Sequence, residues 1–228
     1  VVFFYLLGAL YDDRKDRSIL FWKSLPASDT LTITSKLLTA MVFTPLVFLI
    51  VLAATHLIAT IIAILFVWAL DQSPWDLFLK DMSLFKAWGM IAASWLATSI
   101  WSLPLYGWLL LVSSFAPRVP LLFAVLPPLV ISLLQSWIEF LQTFTIQSNV
   151  GSFIKTWFYN APVVLMVNAD GRDTGLAFGV PLLGDFDHAV NMANIFDRLF
   201  STQMLAGLVI AAVLLAAALW LRRRATDS

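Results

Sequence analysis

From Leu37 to Leu70 the chain keeps an apolar register with almost no break. A helix needs about 20 apolar residues to cross the hydrocarbon core of a bilayer, so this run is longer than one crossing requires. A helix from Asp29 to Leu70 would extend roughly 60 Å at 1.5 Å per residue. It must tilt, kink at Pro45 or project a turn or two beyond the bilayer. Composition points the same way: 61% of residues are hydrophobic, 12% are charged and mean hydropathy is +0.88. A soluble domain carries about 25% charged residues, so the chain belongs in a membrane. The formal net charge is zero, which argues against a nucleic-acid partner. The absence of cysteine excludes disulfides, thiolate metal sites and cysteine nucleophiles. The ten Trp and eighteen Phe suit interfacial belts and lipid-facing packing.

The remaining apolar runs divide the chain. Val1–Leu10 is apolar but too short to span. It lacks the basic flank and cleavage site of a signal peptide, so it reads as the end of a helix that starts upstream. Ala87–Phe115 is the next span after the long one, with Gly89, Pro104 and Gly107 allowing bends. Val119–Gln142 follows, interrupted by Pro127 and Pro128. Two prolines remove two amide donors, so the freed carbonyls need another partner. Gln203–Leu221 is the last span, and Gly207, Ala211 and the alanines up to Ala216 permit close helix approach. The fold class is therefore all-α: a polytopic membrane protein in one domain, residues 1–228, with five visible transmembrane helices, the first truncated.

Between the spans lie three polar stretches. Asp71–Lys86 opens with Ser73 and Pro74 as N-cap and first helical residue. Its Trp75, Phe78, Leu79, Met82 and Phe85 recur at helical spacing, which predicts a short interfacial helix over 71–86. Residues 143–202 hold no spanning run and are punctuated by Gly, Pro, Asn and Asp, which reads as an outer loop with a re-entrant or interfacial helix near Val150–Tyr159. His188 stands there beside Asp185 and Asp187, but the spacing fits no metal motif.

The third stretch, Tyr11–Lys36, carries mixed acids and bases from Asp12 to Arg17, a short apolar run from Ser18 to Leu25, and then Pro26, Ala27, Ser28 and Asp29. Pro26 ends the run. Ser28 offers an N-cap oxygen, and Asp29 favours the positive end of the next helix. The stretch reads as a charged elbow with a short surface helix: either a solvated connector or a handle for a partner outside the bilayer. With this stretch inside, Arg14, Lys15, Arg17, Lys23, Lys36, Arg118 and Arg222–Arg224 all face the cytoplasm, as the positive-inside rule expects. The C-terminus is then cytoplasmic.

Two intramembrane groups are candidates for chemistry. His56, in the long run, reads either as a proton site or as a hydrogen-bonding partner of a neighbouring helix. Glu139 is the only carboxylate in a predicted span after residue 30 and shares a helical face with Gln135 and Gln142. It reads as a cavity-facing polar site or as a residue already at headgroup level. The sequence has no G-x-x-x-x-G-K-[ST], G-x-S-x-G or H-E-x-x-H, so no nucleotide cradle or hydrolase centre is expected.

The Asp12–Arg17, Ser18–Leu25, Pro26-Ala27-Ser28-Asp29 pattern between two spans resembles the first cytoplasmic loop of bacterial ABC-2 type transporter permeases. The order and spacing of the later helices, and Leu221-Arg222-Arg223-Arg224, extend the likeness to the C-terminus. The resemblance implies a six-helix permease of an ATP-driven exporter in the bacterial inner membrane, with one helix upstream of Val1. It implies a separate ABC ATPase subunit that carries ATP and Mg, and a second permease, identical or not. It also implies that the elbow is the ATPase-coupling contact, through Asp16, Arg17, Phe21, Trp22, Lys23 and Ser28. No cofactor and no enzymatic activity are expected of this chain. A non-transporting anchor or sensor that docks a cytoplasmic protein, and an ion or proton pathway through Glu139 and His56, are the alternatives.

Overall fold

The computed structural model describes residues 1–16, 28–80, 84–140, 154, 157 and 199–224, with Phe78, Lys86, Ala87, Glu139 and Phe140 described in backbone alone. The described elements are all helical. They are α1 (Val2–Ala9), α2 (Tyr11–Lys15), α3 (Asp29–Leu38), α4 (Thr44–Ala69), α5 (Leu84–Trp101), α6 (Leu103–Phe115), α7 (Pro120–Phe140) and α8 (Thr202–Arg224). Three candidate membrane spans stand out by length and composition: Asp29–Ala69, Pro120–Ile138 and Thr202–Arg224. Trp88–Trp101 and Leu103–Phe115 together make a fourth if the bent pair is one span. The described residues thus hold three to four candidate spans.

The long run is helical throughout, yet it is not uniform. A wide π-helical turn over Thr39–Phe43 separates α3 from α4, and Pro45 sits in the first turn of α4. Proline has no amide hydrogen and its ring crowds the carbonyl four residues back. A π turn just before it is the local adjustment that lets the helix continue. At its start, Ser28 Oγ accepts from the Leu31 amide at 3.2 Å, with Asp29 in the first turn. At its end the chain reverses through Asp71, whose φ of 56° is left-handed. The Asp71 amide donates to the Trp68 carbonyl and the Gln72 amide to the Val67 carbonyl, 3.0 and 3.2 Å. This is the six-to-one and five-to-two pairing of a Schellman stop, with aspartate where glycine is usual.

One boundary differs from the sequence reading. In the stretch expected as an interfacial helix over 71–86, the described residues hold a wide helical turn at Trp75–Leu79, residues 81–83 lie outside the described residues, and Leu84–Lys86 belong to α5. Leu84–Lys86 carry no helix-breaking residue, so this helix begins earlier than Ala87. Ser73 Oγ does meet the Asp76 amide, at 3.5 Å. The expected span Ala87–Phe115 bends near Pro104, one of the positions that allowed it: the helix is interrupted at Ser102, and α6 restarts with Pro104 in its first turn. Proline at that position tolerates a helix start but not a helix interior.

The chain divides into two compact units. Unit 1 comprises Val1–Met41, Ile100–Ala161 and Phe200–Ser228; unit 2 comprises Val42–Ser99 and Pro162–Leu199. The core of unit 1 gathers Leu6 of α1, Leu10 just after it, Ile33 of α3, Leu109, Leu110 and Val112 of α6, Ala124 of α7 and Ala218 of α8. Helix α8 packs along α6 through small residues, as the sequence suggested. A Cβ on Gly107 would lie 3.1 Å from Leu214 Cβ. A second cluster stacks Trp157 on Trp101 at 4.8 Å between ring centroids, beside Met204. Trp101 Nε1 donates to the Trp157 carbonyl at 3.0 Å, and the Trp157 ring lies over Gly207.

The proline pair in α7 finds its partner in α6. Pro128 cannot donate to the carbonyl of Ala124, four residues back. Trp108 Nε1 does so instead, at 3.0 Å. One indole thus closes the bond that one proline leaves open.

Candidate functional site

The flanks of the Tyr11–Lys36 elbow are fastened to unit 1 by two sets of contacts. The first involves the end of α6. Leu10 and Tyr11 both donate their amides to Ser113 Oγ, at 2.9 and 3.0 Å. Arg14 Nη2 donates to the carbonyls of Ser113 and Ala116, 2.9 Å each. These are among the last carbonyls of α6, which have no intrahelical partner, and a cation is favoured at that end of the dipole. Tyr11 Oη donates to the Arg118 carbonyl at 2.6 Å. Burial pulls the Arg14 guanidinium below its ordinary pKa, opposed by the phenol of Tyr11.

The second set is a charge network. Arg222, at the end of α8, is 5% exposed. Its Nε lies 3.0 Å from Asp29 Oδ1 and its Nη1 3.6 Å from Asp13 Oδ2. Lys36 Nζ reaches Asp13 Oδ1 at 3.5 Å. Among the described residues the network sets two carboxylates against two cations. Such a network adds little net stability over an apolar replacement, but removing its most buried member, Arg222, takes the cation from both Asp13 and Asp29, and loss of one partner of a buried pair costs up to about 3–5 kcal/mol. The last helix, the helix after the elbow and the segment before it are thereby joined at one end of unit 1.

The expected coupling residues fall on both sides of the described boundary. Asp16 and Ser28 are exposed; Ser28 caps α3, and Asp16 follows α2 with its amide bonded to the Asp12 carbonyl at 3.0 Å. Arg17, Phe21, Trp22 and Lys23 lie outside the described residues, as does most of the 143–202 loop, including His188; of the expected helix near Val150–Tyr159 only Ile154 and Trp157 are described, both helical. Of the intramembrane candidates, Glu139 lies in α7 but its side chain is outside the described residues, and Gln135 is half-buried in α7. His56 is buried in unit 2, where its Nδ1 accepts from Trp88 Nε1 at 3.0 Å. That bond joins α4 to α5 and fixes Nδ1 as an acceptor, with the proton of the neutral ring on Nε2. The inter-helix reading of His56 is the one its geometry matches.

Unit 1 also holds a half-open apolar pocket of about 410 Å³, walled among others by Phe3, Trp108, Pro127, Pro128, Ile131 and Ile210. Its volume falls within the range of small-molecule pockets, and among the described residues its lining offers no titratable group. Among the described residues no cluster of three or more His, Cys, Asp or Glu is placed to hold a metal ion.

The sequence reading took Arg222 as an orientation signal and Asp29 as a helix-start residue. It did not foresee that they bond each other. The available signal was the set of acids at 12, 13, 16 and 29 in a segment where orientation alone requires only bases. Compared with family models, with curated proteins and with solved structures, the chain has no match.

Proposed function

We propose that this chain is the membrane-spanning permease subunit of an ATP-driven exporter of the ABC-2 type, with the visible helices forming five of six and the elbow facing the cytoplasm of a bacterial cell. ATP and Mg bind a separate ATPase subunit, and the translocation path lies between two permeases. The observation that carries the reading is the fastening of the elbow's flanks to α6 and α8. A docking loop that transmits displacement must be joined rigidly to the helices it moves. Asp13, Arg14, Asp29 and Arg222 supply that junction. Apolar contact from Phe21 and Trp22 would give the partner affinity, and Asp16, Arg17, Lys23 and Ser28 would orient it.

The test is co-purification of the full-length protein with candidate ATPases of its own genome. A stoichiometric ATPase that hydrolyses ATP in the complex, and detaches from Trp22→Ala with Phe21→Ala, supports the exporter. A clean membrane protein with no ATPase refutes it and leaves the docking-anchor reading in its place.

A further inference from the structure

We propose that Arg222 is the positioning residue of the elbow, a clip that ties both of its flanks to the end of the last helix. The functional consequence rests on the exporter reading; the clip itself does not. Asp13 precedes residues 17–27 and Asp29 follows them. A single guanidinium serves both: it hydrogen-bonds Asp29 at 3.0 Å and forms an ion pair with Asp13 at 3.6 Å, beyond hydrogen-bond reach. Arginine is suited to this because its planar fork presents donors in several fixed directions, whereas an ammonium is a point charge on a flexible stem. Lys36 does not duplicate the role: its described ion pair is with Asp13 alone, at 3.5 Å, and it sits on α3, so it links flank to flank but neither flank to α8. Arg14 is engaged elsewhere, on the carbonyls of Ser113 and Ala116.

Burial makes the clip stiff. Arg222 is 5% exposed and Asp13 9% exposed, and the Asp29 side chain 23%, so salt screens these ion pairs less than surface pairs. Both flanks therefore move with α8 or not at all. A displacement applied at the elbow reaches the last helix directly, without passing along the whole of the long helix Asp29–Ala69.

The 228 residues contain no cysteine, so cysteines introduced among them compete with no other thiol of this stretch when spin-labelled in lipid vesicles. Two distances are read from α8 by pulsed electron resonance: Lys15→Cys to Arg223→Cys, and Thr34→Cys to Arg223→Cys. The parent is expected to give one narrow distribution for each. Arg222→Gln broadens both. Asp29→Asn broadens the Thr34 distance and leaves the Lys15 distance narrow. The clip is overturned if Arg222→Gln leaves either distribution unchanged, or if Asp29→Asn broadens both alike, which is general loosening of the fold. In the complex with its ATPase, Arg222→Lys is expected to keep ATPase binding and lower transport per ATP hydrolysed by about tenfold, equivalent to about 1.4 kcal/mol of lost coupling. Unchanged transport per ATP overturns the functional role. If no ATPase binds the parent, the exporter reading falls while the two distances still decide the clip.

Discussion

Replacing Trp108 by Phe should destabilise unit 1 through one atom, the carbonyl oxygen of Ala124. Phenylalanine keeps most of the ring's apolar area, so the main loss is the 3.0 Å bond from the indole. Pro128 prevents the carbonyl from finding its usual amide. Ala124 is 5% exposed, which excludes bulk water. Leaving a buried acceptor unsatisfied costs about 1–3 kcal/mol. Inter-helix hydrogen bonds in membrane proteins average only about 0.6 kcal/mol, because the reference state finds other partners. The Ala124 carbonyl has fewer alternatives than most, so the expected loss is about 1 kcal/mol. The informative measurement is a double-mutant cycle in reversible detergent unfolding. Pro128→Ala returns an amide hydrogen to α7, and in that background Trp108→Phe should cost less than about 0.5 kcal/mol, giving a coupling near the full bond. Equal costs in the two backgrounds would refute the reasoning, since Trp108 would then act by packing alone.

Two further substitutions test local geometry. Asp71 holds a left-handed backbone at φ 56°, and Asp71→Gly should raise unfolding stability by about 0.5–1 kcal/mol by removing Cβ strain at the helix stop; a loss of stability would mean that the aspartate side chain matters more than its backbone. Gly207→Ala would drive a Cβ into the Trp157 ring and to 3.3 Å from Pro104 Cγ. With that ring stacked on Trp101, overpacking should cost about 1–3 kcal/mol and alter tryptophan emission, whereas unchanged stability and emission would show that the ring moves freely.

How much was legible in the sequence follows from which interactions are local. The helix start at Ser28 depends on an amide three residues away, and the stop at Asp71 on carbonyls within the preceding turn. Both lie in signals a short window contains: Ser-Asp before an apolar run, and a polar residue after it. The interruption at Ser102 was half visible, because Pro104 marks a bend without stating whether the helix restarts. The wide turn at Thr39–Phe43 was foreshadowed by Pro45, but its π geometry was not.

The sequence by itself determined that this chain is helical, that it carries several candidate membrane spans, and where most of them begin and end. Uninterrupted apolar runs, prolines and capping residues are enough for that. The tertiary structure decided which helix faces which: Trp108 against the Ala124 carbonyl, Trp88 against His56, and Arg222 against Asp13 and Asp29. The reason is physical. A helix that is apolar all round has no polar face to contrast with a buried one, so its pattern does not name the side that packs. The Arg222–Asp29 bond joins residues 193 positions apart, and only the folded arrangement of α3 and α8 brings them within reach.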